Sequence, residues 1–360
     1  MPKLSYYFPK ITSVSGLFIG SLFGGCALFL VGAPMPFLVG GIIGSAVFVW
    51  FFESPGRIIP RLPPYIRLCA IAITGAMIGS RVPATLIDTL SEYWISALMM
   101  IPFVLFAHMG NYKIFRKIGG YHSVDAYFAG MPGGLIEAIL LGEKAGADIR
   151  ILTIQHFVRV LSIVLFVPFM FFILTGEVVG SAGGASMSEQ IYDASDISII
   201  VSIAAIGLVV GKALKLPAAH LLGPLMLAIC FVVTFSAQIN VPYWLLNFAQ
   251  FIIGATLGAQ FSGVDKELLK RSFKLGVMAV CFMLTLGLAF VYFLIPFVPM
   301  DVKELLISFA AGGLAEMSLI ALSLNLNPVI VALHHLFRIF LSIWLGNLLY
   351  NRFLKNKLGE

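Results

Sequence analysis

The chain is 360 residues long, 60% hydrophobic and only 11% charged, with a mean hydropathy of +1.00. A soluble domain carries roughly 25% charged residues, so the composition excludes a soluble fold and predicts an all-α, polytopic protein of the lipid bilayer. The net charge of +6 is dispersed in short clusters between apolar runs, which is the pattern of loop anchoring, so no direct nucleic-acid partner is expected.

From the N-terminus, Lys3 and Lys10 precede an apolar run at 11–31. It is too long for a signal peptide, and Pro34 and Pro36 stand where a cleavage site would fall, so it is expected to remain as the first span. Further runs fall at 37–52, 66–80, 93–109 and 151–174, then at 196–211, 218–236, 244–260, 273–297 and 328–350. Together they predict about ten transmembrane helices, the shortest packed obliquely or recessed. Apolar stretches broken by glycines precede the fifth and tenth runs, at 125–145 and 305–323. Cys26, Cys69, Cys230 and Cys281 all lie in apolar runs without C-x-x-C spacing and are expected to be buried small hydrophobes, neither disulfides nor a metal site.

The two glycine-broken stretches open a repeated segment. Gly133, Gly134, Glu137, His156 and Arg159 recur as Gly312, Gly313, Glu316, His335 and Arg338, each 179 residues later. The 27 residues from Gly133 to Arg159 match Gly312 to Arg338 without insertion. The duplication extends further. Pro34 and Phe37-Leu38-Val39-Gly40 answer Pro217 and His220-Leu221-Leu222-Gly223 at an offset of 183, and Gly75 to Gly79 answers Gly254 to Gly258 at 179. The expected organisation is a first membrane repeat at 11–174, an acidic linker at 175–195 and a second repeat at 196–350.

Basic loops orient the repeats. Arg57, Arg61 and Arg67, then Lys113, Arg116 and Lys117, then Lys212 and Lys215, then Lys266, Lys270, Arg271 and Lys274, and finally Arg352, Lys355 and Lys357 belong on the cytoplasmic side. The linker, with Glu177, Glu189 and Asp193 and no lysine or arginine, belongs outside. This alternation holds only if the glycine-broken stretches re-enter the membrane without crossing it. Each half then crosses five times, the halves are inverted, and both termini are cytoplasmic.

Non-helical backbone at membrane depth is tolerated where it lines a cavity, and inverted repeats with broken helices are the recurring design of secondary transporters. Helix N-termini after each glycine pair favour an anion. Glu137 and Glu316 are expected to serve as coupling carboxylates, since ionisable groups at membrane depth mark pathways. The competing reading pairs them permanently with Arg159 and Arg338. His156 with Arg159, and His335 with Arg338, share a helix face at a spacing of three and read equally well as an anion clamp with a titrating neighbour or as structural partners. Gln155 and His334 extend either network, Asp148 and Asn327 read as helix N-caps, and Asp125 opens the first stretch with no counterpart assigned in the second half. His220, beside Pro217 and Gly223, reads as an interfacial histidine. No H-E-x-x-H or G-x-S-x-G occurs, so neither a metal, a cofactor nor an enzymatic activity is expected.

The two P/A-G-G-L-x-E stretches (Pro132 to Glu137, Ala311 to Glu316), the H-x-x-R helices and the paired G-A-x-x-G segments at 75–79 and 254–258 resemble the AbrB duplication-domain family of bacterial inner-membrane proteins. The resemblance covers about residues 15 to 350 and implies a duplicated inner-membrane fold. Family members are labelled ammonia monooxygenases or regulators of gene expression. The residues themselves lead to a secondary transporter of a small, anionic organic solute, coupled to protons or a cation, with a homodimer as one candidate assembly. A ligand sensor without transport, and an intramembrane oxidoreductase, are the second and third readings.

Overall fold

The computed structural model describes residues 3–53, 62–82, 92–176, 193–264 and 266–354. The linker at 177–192 and the basic residues Arg57, Arg61, Lys355 and Lys357 lie outside the described residues. The described chain is helical, with no strand. Fourteen α-helices follow in order: α1 (Lys3–Leu30), α2 (Pro36–Phe52), α3 (Pro64–Gly79), α4 (Trp94–Lys113), α5 (Ser123–Ala129), α6 (Leu135–Lys144) and α7 (Ile149–Thr175), then α8 (Ala194–Ala213), α9 (Ala219–Phe235), α10 (Tyr243–Gly258), α11 (Lys266–Leu294), α12 (Val302–Phe309), α13 (Leu314–Ser323) and α14 (Pro328–Leu349).

Every expected apolar run contains one of these helices, and both glycine-broken stretches are pairs of short helices, α5–α6 and α12–α13. Five described helices are long and apolar enough to cross a bilayer: those within Trp94–Ile118, Ile149–Ile173, Ala194–Ala213, Glu267–Leu294 and Pro328–Arg352. By contrast, the 16 residues of α3 rise roughly 24 Å at 1.5 Å per residue, short of a hydrocarbon core about 30 Å thick.

The duplication is visible in the helix bounds. Adding 179 to the ends of α6 (135 and 144) gives those of α13 (314 and 323), and the same shift carries α3 onto α10. At the offset of 183, Met35 and Ala218 correspond, and both hold left-handed backbone (φ 48 and 46) immediately before α2 and α9.

The chain divides into two compact units, and neither is a sequence half. The first comprises Met1–Ala84, Pro168–Val264 and Ser318–Val329; the second comprises Thr85–Val167, Asp265–Met317 and Ile330–Glu360. Each therefore draws corresponding segments from both repeats.

In the first unit the third helices are exchanged. α3 packs on α9 of the other half, and α10 packs on α2. Glycine makes this approach feasible: a Cβ on Gly75 would stand 2.4 Å from the Leu221 carbonyl oxygen, and one on Gly254 would stand 2.6 Å from the Leu38 oxygen, the equivalent contact in the other half. Gly79 against Leu225 and Gly258 against Ile42 repeat the relation one turn on. Small residues also close the pairs within each half, with Gly20 and Gly24 on α1 facing Gly44 and Gly40 on α2, the close-approach packing of membrane helices. A core of Leu17, Val49, Leu62, Ala255 and Ala259 fills one side of this unit.

The second unit contains the first helical hairpin and the second as far as Met317. Its apolar clusters include Phe115, Tyr121, Ala126, Ala129, Leu275 and Ala279, and separately Phe128, Met131, Ala138, Ala147, Leu152 and Tyr350. The four cysteines depart from expectation. All are exposed on the protein surface, because a helix surface facing acyl chains takes a small apolar thiol as readily as a core does.

Candidate functional site

The site begins with how each hairpin is closed. Asp148 caps α7 by accepting the Arg150 N–H at 2.8 Å, and Asn327 caps α14 by accepting the Val329 N–H at 3.1 Å, as expected for N-caps. Asp125, on the first arm, accepts the Asp148 N–H at 2.8 Å. The entry and exit of the first hairpin therefore lie side by side. At the offset of 179 Glu304 occupies the position of Asp125, which corrects the expectation that this acid has no counterpart.

At the break, Gly134 has φ 69 and starts α6. A side chain there would hold strained left-handed backbone, so glycine is required by conformation. Gly313 is required for a different reason: a Cβ on it would lie 2.0 Å from Glu316 Oε2. The glutamate, three residues into its motif, folds back over the glycine. Glu316 is 2% exposed, whereas Glu137 is half-buried and makes no hydrogen bond.

The arginines do not pair with these acids. Arg159 Nη1 donates to the Met131 carbonyl. Arg338 donates from Nη1 to the Ala310 carbonyl at 3.3 Å and from Nη2 to the Gly312 carbonyl at 2.6 Å. Met131 and Ala310 are equivalent positions just past the short arms α5 and α12, where unsatisfied carbonyls form the negative end of a helix. Each guanidinium thus holds the broken backbone of its own hairpin. Nε of both arginines has no acceptor.

His156 and His335 are fully buried, and neither ring nitrogen of either makes a hydrogen bond of sound geometry, although the Phe128 carbonyl is near His156 and the Val331 and Ala310 carbonyls are near His335. The neighbouring polar residues turn elsewhere. Gln155 Nε2 donates to the Tyr121 hydroxyl at 2.8 Å, while His334 bridges the Ile330 carbonyl and Ser96 Oγ, each at 2.9 Å. His220 is half-buried in the first turn of α9. The first hairpin also touches the second half, since Gly133 lies against Ile339 and Ser342 of α14.

The sequence reading missed two residues that belong to this set. His108 Nε2 donates to the Tyr127 carbonyl at 3.0 Å and approaches His156. Asn111 Nδ2 donates to the Gly130 carbonyl at 3.2 Å. Their signal was present: two polar groups three residues apart, hence on one face, within an otherwise apolar span. The set as a whole offers cationic donors, orphaned imidazoles and a carboxylate around broken backbone. Among the described residues, no three His, Cys, Asp or Glu side chains gather in a metal-holding group.

A family model described as "Transition state regulatory protein AbrB" matches residues 37–354. Among curated proteins, the chain is 25% identical over 353 residues to "Uncharacterized protein YhjN" of Bacillus subtilis (strain 168), covering 89% of this chain and 88% of that protein. It is 24% identical over 327 residues to "Putative regulator AbrB" of Escherichia coli (strain K12), covering 87% and 88% respectively.

Proposed function

This chain belongs to the AbrB family, and we propose that it is a secondary transporter of a small organic anion, working by alternating access and coupled to protons or a cation. The observation that carries this reading is the pair of symmetry-matched guanidiniums, 6% and 1% exposed, which donate to main-chain carbonyls. Buried charge without a counter-charge is costly. Two such cations, one from each repeat, constitute a demand for an anion, and a solute carboxylate or phosphate answers it.

Ten crossings in two inverted repeats, in a bacterial inner membrane with both termini cytoplasmic, fit the same reading. A first hairpin whose ends are joined by the Asp125–Asp148 bond favours re-entry over crossing. Other loop contacts join segments assigned to one side: Glu53 accepts from Ser262 Oγ at 2.7 Å and from the Gly263 N–H at 2.9 Å, and Arg271 donates to the Gly119 carbonyl. Glu137, Glu316 and the two orphaned histidines are the groups that would take up and release a coupling proton.

The name of the Escherichia coli relative, a regulator, favours a second reading, a membrane ligand sensor without flux. Electrical recording from proteoliposomes on a solid-supported membrane separates the two. Concentration jumps of small carboxylates and of phosphate should evoke currents that Arg338→Gln abolishes. Saturable binding with neither current nor tracer uptake would leave the sensor, and stoichiometric copper or iron with turnover would leave an enzyme.

A further inference from the structure

The first unit contains a cavity of about 220 Å³ lined by Arg81, Leu322, Asn325, Leu326 and Asn327. Arg81 follows the C-terminus of α3, and the other four residues end α13 and lead into α14. Three features give the cavity its chemistry. Arg81 supplies a half-buried cation to the cavity wall. Asn327 caps the 22-residue α14, whose N-terminal dipole favours negative charge. Asn325, exposed and with left-handed backbone (φ 56), leaves its side-chain amide without a hydrogen bond. Leu322 and Leu326 then cover whatever is apolar.

The duplication sharpens the comparison. Position by position, the duplication sets Gln260 against Arg81, Gly146 against Asn325 and Asp148 against Asn327. The base and the exposed amide are therefore not repeated at the matching positions.

We infer that this cavity is a recognition site for a short aliphatic carboxylate, its carboxylate group on Arg81 and the asparagine amides and its chain against Leu322 and Leu326. A volume of about 220 Å³ equals roughly seven liquid-water volumes, which suits an acid of about four or five carbons. The site rests on the transporter reading, in which this mouth opens on the extracytoplasmic side and selects the solute.

The test is titration calorimetry on the purified full-length protein in detergent, with butanoate, succinate and inorganic phosphate as probes. Butanoate or succinate should bind saturably, and Arg81→Gln should weaken that binding by about 10- to 100-fold, the loss expected of charge-assisted hydrogen bonds. Asn325→Asp, a change at an exposed position that leaves the fold undisturbed, should also weaken it by about tenfold through like-charge repulsion. Arg81→Lys should retain most of the affinity. Absence of binding by all three probes overturns the proposal. So does binding that survives Arg81→Gln but vanishes in Arg338→Gln, which would move the ligand to the buried arginines and leave the transporter reading intact. Phosphate binding as tight as butanoate overturns the aliphatic assignment. Binding that depends on Arg81, without proteoliposome flux, upholds this site while refuting transport.

Discussion

The fold of the glutamate over its glycine gives the sharpest prediction. Replacing Gly313 with alanine introduces a Cβ 2.0 Å from Glu316 Oε2 and 2.9 Å from its Cδ. The carboxylate must retreat by roughly 1.4 Å to regain ordinary contact, and with only 2% exposure it has little room to do so. Overpacking of this kind costs about 1–3 kcal/mol. In a Glu316→Ala background the obstacle is gone, and Gly313→Ala should then be nearly neutral, giving a coupling energy of about 1–3 kcal/mol in a double-mutant cycle. The equivalent glycine should behave differently, because its Cβ would lie 3.4 Å from Glu137 Oε2. Gly134→Ala should cost about 1–2 kcal/mol from left-handed backbone, with or without Glu137. Equilibrium unfolding of purified protein in mixed dodecylmaltoside–SDS micelles reads the wild type and all six variants. An equal cost of Gly313→Ala with Glu316 present or absent refutes the seating of the carboxylate over the glycine.

Other consequences concern the arginines, the glycine seams and the loops. Arg338→Met should destabilise the protein by about 2–6 kcal/mol and Arg159→Met by about 1–3, because two buried carbonyls lose a partner in the first case and one in the second; the same unfolding assay checks the order. Gly79→Ala places a Cβ 2.3 Å from the Leu225 oxygen and 2.6 Å from the Ala228 Cβ, so α3 and α9 must part and about 1–3 kcal/mol should be lost. Asp148→Ala removes the N-cap of α7, a loss of about 1 kcal/mol, and proteolysis at 145–148 should accelerate accordingly. A cysteine introduced near Gly184 should react with an impermeant maleimide in intact cells, whereas one near Lys117 should not; reversal of the two refutes the orientation.

Much of this architecture is written in the sequence because periodic apolar runs and a constant offset are one-dimensional signals. The glycine breaks at 133–134 and 312–313 fall between helices as expected, and Asp148 and Asn327 cap the helices that follow. What the sequence could not convey is partnership in space. Arg159 and Glu137 invite pairing on charge alone, yet the arginine bonds the Met131 carbonyl, an acceptor present at every residue and so invisible as a motif. Nor does hydropathy distinguish a helix that packs within its own half from one that crosses over, which is why the exchange of α3 and α10 goes unseen. His108 and Asn111 escaped notice because they lie on a span with no glycine break to draw attention to it. The cysteines were misplaced because lipid and protein interior select the same side chains.

The exchange of the third helices bears on how the molecule is made. Gly75 finds its seat on Leu221, a residue translated 146 positions later. At about 5–20 residues per second the ribosome needs roughly 7–30 s to deliver it. During that interval the nascent α3 waits with its narrow glycine groove unfilled, open to lipid or to the matching groove of a sister polypeptide.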